Sequence, residues 1–439
     1  MMVAVPLAGA EQRLLHPSVP VAFFGLATLA HLGFWLLLAW LPERAAVIGG
    51  PGPGLAAVHM LTVGVLAAAA VGAVLQILPV TTMQTAPPLW AGWALLVLIG
   101  GGGTLLVAAF LTISVAGMIA GATALGLGLL LFTGLLGRLL WKGRAAGLPD
   151  TLPAILGAAV ALAGVVALAV LLAADYRLAW LPDHGAAAAA HLVLAGYGFM
   201  GLLVVGFSHI LVPMLAVAEP PKPRAGRPAL VLAVCAVAAA AAGLLGGSVF
   251  LTALGGVAGL VASVLHVDTM VRAHARRMRK RLGPSFVLIR VSWLLLPLSI
   301  AAGLGALAGI MPPLVFGVLL LPGWLLTILL GMLQRILPFL ASMNTVRRCA
   351  RPASATALVW DAPLKVLAVL HPAAVALLTL AAALDAPLLT RMAGVVGMAG
   401  AIAFLIHALT VGVRALRHRR RVGPKPKPAR PGGTAATAA

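Results

Sequence analysis

The chain has 439 residues, 62% of them hydrophobic and only 9% charged, and its mean hydropathy is +1.11. A water-soluble domain carries about 25% charged residues, so this composition excludes a soluble enzyme and points to an all-α polytopic membrane protein in a lipid bilayer. The net charge of +21 does not indicate nucleic acid as a partner, because the basic residues sit in short gaps between apolar stretches, where orientation in a bilayer explains them.

The first 18 residues are weakly apolar, contain Glu11 and Arg13, and lack the cleavage pattern of a secretory signal. A membrane span needs about 20 apolar residues. On that criterion twelve spans are predicted, over 19–41, 55–79, 89–112, 114–140, 152–174, 186–217, 228–247, 249–271, 286–310, 313–338, 362–384 and 387–413. Spans three and four, and spans seven and eight, are joined so closely that each pair reads as a helical hairpin. The predicted organisation is an N-terminal segment 1–18, a membrane domain 19–413 and a basic tail 414–439, whose Lys-Pro-Lys-Pro run and small residues read as disordered. Counting from an inside N-terminus, 26 of the 30 Lys and Arg fall on one side, and Arg44, Arg177 and Arg391 on the other. That asymmetry predicts both termini in the cytoplasm, with the chain in the bacterial inner membrane. Trp40, Trp90, Trp141, Trp180 and Trp360 fall near span ends, where an indole prefers to sit. Cys235 lies in a span and Cys349 in a basic loop, so no disulfide framework is expected.

Span two carries Gly64, Gly72 and Pro79 in the pattern Gly-x7-Gly-x6-Pro. Span six repeats it without a gap at Gly198, Gly206 and Pro213, and span ten at Gly323, Gly331 and Pro338. Each copy lies four spans from the last, which predicts a pseudo-threefold repeat of four-helix units over about 19–140, 141–271 and 272–413. The glycines share one side of each helix, so a neighbouring helix or a flat ring could approach closely there.

All nine acidic residues lie at or near span ends, so the carboxylates of a proton- or sodium-coupled carrier are missing from the membrane interior. Histidine behaves oppositely. Seven of eleven lie in predicted spans: His31, His59, His191, His209, His266, His371 and His407. With no buried carboxylate to pair with, a metal or haem iron best satisfies several neutral imidazoles. The candidate cofactor ligands are His31, His59, His191 and His209. His59 and His191 open spans two and six on the outer side. His209 is five turns beyond His191, about 27 Å deeper, so these two cannot share one ion. His266, His371 and His407 are expected to make ordinary polar contacts, and His16, His184, His274 and His418 to be solvated in loops. No Walker sequence, Cys-x-x-Cys-His site or Ser/His/Asp grouping appears.

Twelve spans, both termini inside, a repeat of four helices and histidines opening spans two and six resemble the catalytic subunit of haem-copper oxidases. The segments His59-x4-Gly64 to Pro79 and His191-x4-Gly196 to Pro213 are similar to helices of the NnrS-type haem- and copper-containing membrane proteins of denitrifying bacteria. The resemblance implies haem b with His59 as an axial ligand, and copper with His191 as its ligand. It also implies a redox partner protein and a role in electron transfer or the nitric oxide response. Span seven lacks the oxidases' adjacent histidine pair and span ten lacks their remaining haem ligands, so a standard oxygen-reducing centre is not expected. Met60 stands where NnrS-type proteins carry an acid. A transporter or channel-like protein for a small solute, with histidines lining its path, is the other reading of the same residues.

Overall fold

In hydrocarbon every backbone N–H and C=O must find its partner within the protein, so an apolar chain crosses as helix. The computed structural model describes residues 13–45, 50–143, 151–219, 221–222 and 224–424. Twelve helices in it are long and apolar enough to cross a membrane: α1 Ser18–Trp40, α2 Pro53–Val80, α3 Leu89–Thr112, α4 Val115–Gly143, α5 Leu152–Leu178, α6 His184–Ala216, α7 Arg227–Leu245, α8 Val249–Ala275, α9 Ser285–Leu307, α10 Pro313–Val346, α11 Asp361–Leu384 and α12 Pro387–Val422. No strand forms among the described residues; an isolated bridge joins Cys349 and Pro424. The five tryptophans at helix ends are all exposed, as an interfacial belt requires.

One boundary differs in kind. The segment from 414, expected to begin the disordered tail, continues α12 to Val422. Arg419, Arg420 and Arg421 occupy the last turn, where basic side chains favour the helix dipole, and Arg414 donates to the carbonyls of Ala357 and Val359. Residues 1–12 and 425–439, and with them Glu11 and most of the predicted tail, lie outside the described residues, as do Arg144 and Asp150.

The helices pair in an order that recurs every four. α1 packs on α2, α5 on α6 and α9 on α10; α3 with α4, α7 with α8 and α11 with α12 are hairpins; and α4 meets α5, α8 meets α9 and α12 meets α1. The last three contacts close a ring. Four is an even number of crossings, so successive units run in the same direction rather than inverted.

Five of the six repeated glycines make the contacts of α1 with α2, α5 with α6 and α9 with α10. A Cβ at Gly64 would stand 2.6 Å from Ala30 and one at Gly72 2.8 Å from Phe23, both on α1. Gly198 and Gly206 meet Ala161 and Ala154 of α5 in the same way, and Gly331 meets Ile289 of α9. Helix packing, rather than approach of a flat ring, is therefore what these glycines serve. The three helices that carry them form the centre: 72% of the central stretch of α2, α6 and α10 is buried, against 22–44% for the other nine. Each also contains a π-helical segment, Met60–Ala67, Leu194–Gly201 and Leu319–Leu325, which begins four residues before its first repeat glycine. The segments of α2 and α6 both touch that of α10. A π turn widens the helix and re-aims the residues around it, a device common at functional sites.

Hairpin glycines approach backbone directly; a Cβ at Gly102 would lie 2.5 Å from the Leu125 nitrogen, whereas Gly134 has nothing within 4 Å. Gly102→Val should therefore force α3 from α4 and destabilise the protein by about 1–3 kcal/mol. Gly134→Ala should leave stability level or raised. The midpoint of thermal unfolding in detergent checks both, and equal midpoints for the two variants would contradict the packing.

Candidate functional site

Wide π turns and small residues leave a cavity of about 980 Å³ at the heart of the bundle, at the upper end of the ~300–1,000 Å³ of ligand pockets. Its lining includes the first residues of α6 and α10, His184 and Pro313, so it opens on the face where those helices begin. This is the face opposite the one where α1 starts and the basic α12 terminus ends; the latter is here called the basic face. No Asp, Glu, Lys or Arg appears among its described lining residues, while His59, His184, His191 and His266 do. Tyr197, stacked on Phe316 and on Trp324 at 5.8 Å between ring centres, forms an aromatic wall, and its hydroxyl donates to Ser299 at 2.9 Å.

His59 is fixed by its own helix. Its Nδ1 lies 2.9 Å from the Leu55 carbonyl, which can only accept, so the proton sits on Nδ1 and Nε2 keeps its lone pair. Phe110 of α3 holds the ring from one side at 4.8 Å. His191 faces the same cavity and stands within electrostatic reach of His59. Its Nδ1 is buried without a partner. In the register of the repeat the two are not equivalent: His59 precedes Gly64 by five residues and His191 precedes Gly198 by seven.

The other two predicted ligands go elsewhere. His209 does not line the cavity; it packs against Gly226 and against His266, with ring centres 5.4 Å apart. His31 turns away from α2 towards α11 and α12, where Trp35 Nε1 donates to its Nε2 at 3.0 Å. Placement on one span could not reveal this, because the face a residue presents depends on which neighbour its helix meets. The four predicted ligands thus occupy three places, and only His59 and His191 share one. Among the described residues no group of three or more His, Cys, Asp or Glu converges as a metal would require.

Several histidines depart from expectation, among them His274, which is not solvated in a loop but buried in the last turn of α8 with its ring packed on Phe286 and Trp293. His184, expected in a solvated loop, is the first residue of α6; its Nδ1 lies 2.8 Å from Asp175 Oδ2, and its ring packs on Tyr176. The spacing of His184 and His191, two helical turns, was a legible sign that both would face one way. His266, expected to make an ordinary polar contact, lines the deep part of the cavity and has an unpartnered Nδ1. Compared with known proteins, the sequence matches no family model and no curated relative.

If the cavity is entered from the face opposite the basic one, a single cysteine at Ala189, on its wall near the mouth, should react with a small membrane-impermeant thiol reagent added to that side. A Cys235→Ala, Cys349→Ala background removes the two native thiols. Labelling only from the basic face would contradict the direction of opening.

Proposed function

We propose that the protein is a haem-binding protein of the bacterial inner membrane, with both termini cytoplasmic, serving electron transfer or the nitric oxide response rather than oxygen reduction. One observation carries this reading: a large apolar cavity, with no Asp, Glu, Lys or Arg among its described lining residues, presents His59 with Nδ1 tied to a carbonyl and Nε2 left as a lone pair. A neutral imidazole oriented by a backbone acceptor is how proteins hold an axial ligand ready for iron. His191 supplies a second imidazole on the same cavity, and Tyr197, Phe316 and Trp324 a flat aromatic wall for a ring to lie along. Haem, when bound, supplies a one-electron couple and an iron that can take a diatomic ligand. The residues themselves orient it, exclude water from its faces and admit small molecules from the mouth beside His184. Electron delivery calls for a redox partner protein. Copper on His191 is not part of the proposal, because the described residues bring no third donor to it. The reach of the same cavity from His184 to His266 favours a solute path as the second reading, and the spectrum of the purified protein separates the two.

The purified protein is expected to show a Soret band. His59→Ala should lower haem content by about tenfold or more, since even groups that merely orient a metal ligand contribute 10–100-fold. His191→Ala should lower it as well, with the fold intact by size-exclusion chromatography. A colourless wild type, or unchanged haem content in both variants, overturns the reading.

The orientation has its own check. A reporter fused after Arg421 should be active only in the cytoplasm and one inserted at Gly52 only outside. Reversed activities would place the cavity mouth on the cytoplasmic side.

A further inference from the structure

A second set of buried polar groups stands beside the cavity, where α1, α10, α11 and α12 meet. His31, His371 and His407 are each 1% exposed or less. The Trp35 indole can only donate, so His31, which accepts from it on Nε2, carries its own proton on Nδ1, and that nitrogen has no partner. His371 Nε2 is 2.8 Å from Thr327 Oγ1, and that hydroxyl lies 3.4 Å from the carbonyl of Pro322, inside the π segment of α10. With the hydroxyl donating to the carbonyl, His371 donates from Nε2 and keeps a lone pair on Nδ1, which is buried and unpartnered. Pro322 lines the cavity.

Nearer the basic face, His407 of α12 has neither nitrogen bonded, and it stands within electrostatic reach of Asp361, the first residue of α11. Gly400 packs on His371, and seven residues at 1.5 Å each put His407 about 10 Å closer to the basic face. Phe404 lies on α12 between those two levels, its ring centre 6.2 Å from His31 and 6.3 Å from His407. Histidines kept for structure alone would be satisfied, since buried polar groups almost always are. A file of imidazoles with open nitrogens, running from one membrane face to the wall of a central cavity, suits proton transfer.

We propose that Asp361, His407, His371 and Thr327 form a proton path from the basic face to the central cavity, with Phe404 as the barrier in it. A proton taken up at Asp361 passes to His407 and, through bridging water, to the lone pair of His371 Nδ1. His371 then releases the proton on Nε2 to Thr327 Oγ1, which turns from the Pro322 carbonyl and gives its own proton to water entering from the cavity. One proton enters and one leaves, no electron moves, and the ring resets by exchanging tautomers. The groups that face His371 from the packed helices are His31 and Trp35 on α1 and Thr327 on α10, of which the Thr327 hydroxyl is within hydrogen-bond reach. The path does not depend on haem being bound.

The test is proton flux driven by a potassium diffusion potential into liposomes that contain the full-length protein and a pH-sensitive dye. Phe404→Ala should conduct about tenfold faster than the wild type, the change that goes with removing about 1.4 kcal/mol of barrier. Adding His371→Gln, which keeps a hydrogen-bonding amide but cannot exchange tautomers, should return flux to that of protein-free vesicles. Phe404→Val should show the same order, and it replaces the alanine variant should that one not reconstitute. A Phe404 variant that conducts no faster than protein-free vesicles overturns the path, as does flux that survives His371→Gln or a matching rise in chloride flux.

Discussion

Helices in hydrocarbon gain little by exchanging lipid for one another's apolar side chains, so their association rests on how closely the backbones approach. The whole bundle depends on that constraint. Gly64 and Gly72 let α1 lie against α2, Gly198 and Gly206 let α5 lie against α6, and Gly331 does the same for α9 on α10. Because the same contact recurs in three units of four helices, the fourth helix of each unit meets the first of the next, and the ring closes without an edge. Three central helices result, buried on most sides and therefore able to hold groups that lipid would not tolerate.

What the centre holds is histidine without carboxylate. The π turns near the repeat glycines open space among α2, α6 and α10 that close packing would otherwise deny, and this space is the cavity that His59 and His191 share. Apolar walls make the cavity a poor host for a charged solute and a good one for a large, mostly apolar ring with imidazole ligands. The same π segment of α10 also frees the Pro322 carbonyl to meet Thr327 and, through it, His371. A single local distortion thus links the cavity wall to the second histidine set, and the two proposals share a structural origin while standing on different residues.

Twelve apolar runs, their hairpins and the threefold glycine pattern were legible because each is written locally: hydropathy along about 20 residues, and spacing within one helix. His59 and His191 were legible as a pair for the same reason, each at the start of a central helix. His31 was misread because its depth in the membrane was visible and its direction was not; only the packing of α1 against α12, with Trp35 seated over Gly397, turns it towards His371. His184 was misread as solvated because the ion pair with Asp175 is made across the turn between two helices. The helical extension of α12 to Val422 was hidden by a composition that suits both a charged tail and a helix end.

The sequence by itself therefore determined the number of crossings, the repeat and the absence of charge from the membrane interior, since these follow from composition and period. Tertiary structure alone decided which histidines meet, because a residue's neighbours across a bundle are set by helix rotation and crossing, and these depend on every glycine contact around the ring at once. It also decided where space remains, for a cavity is what close packing leaves unfilled, and no single segment encodes it.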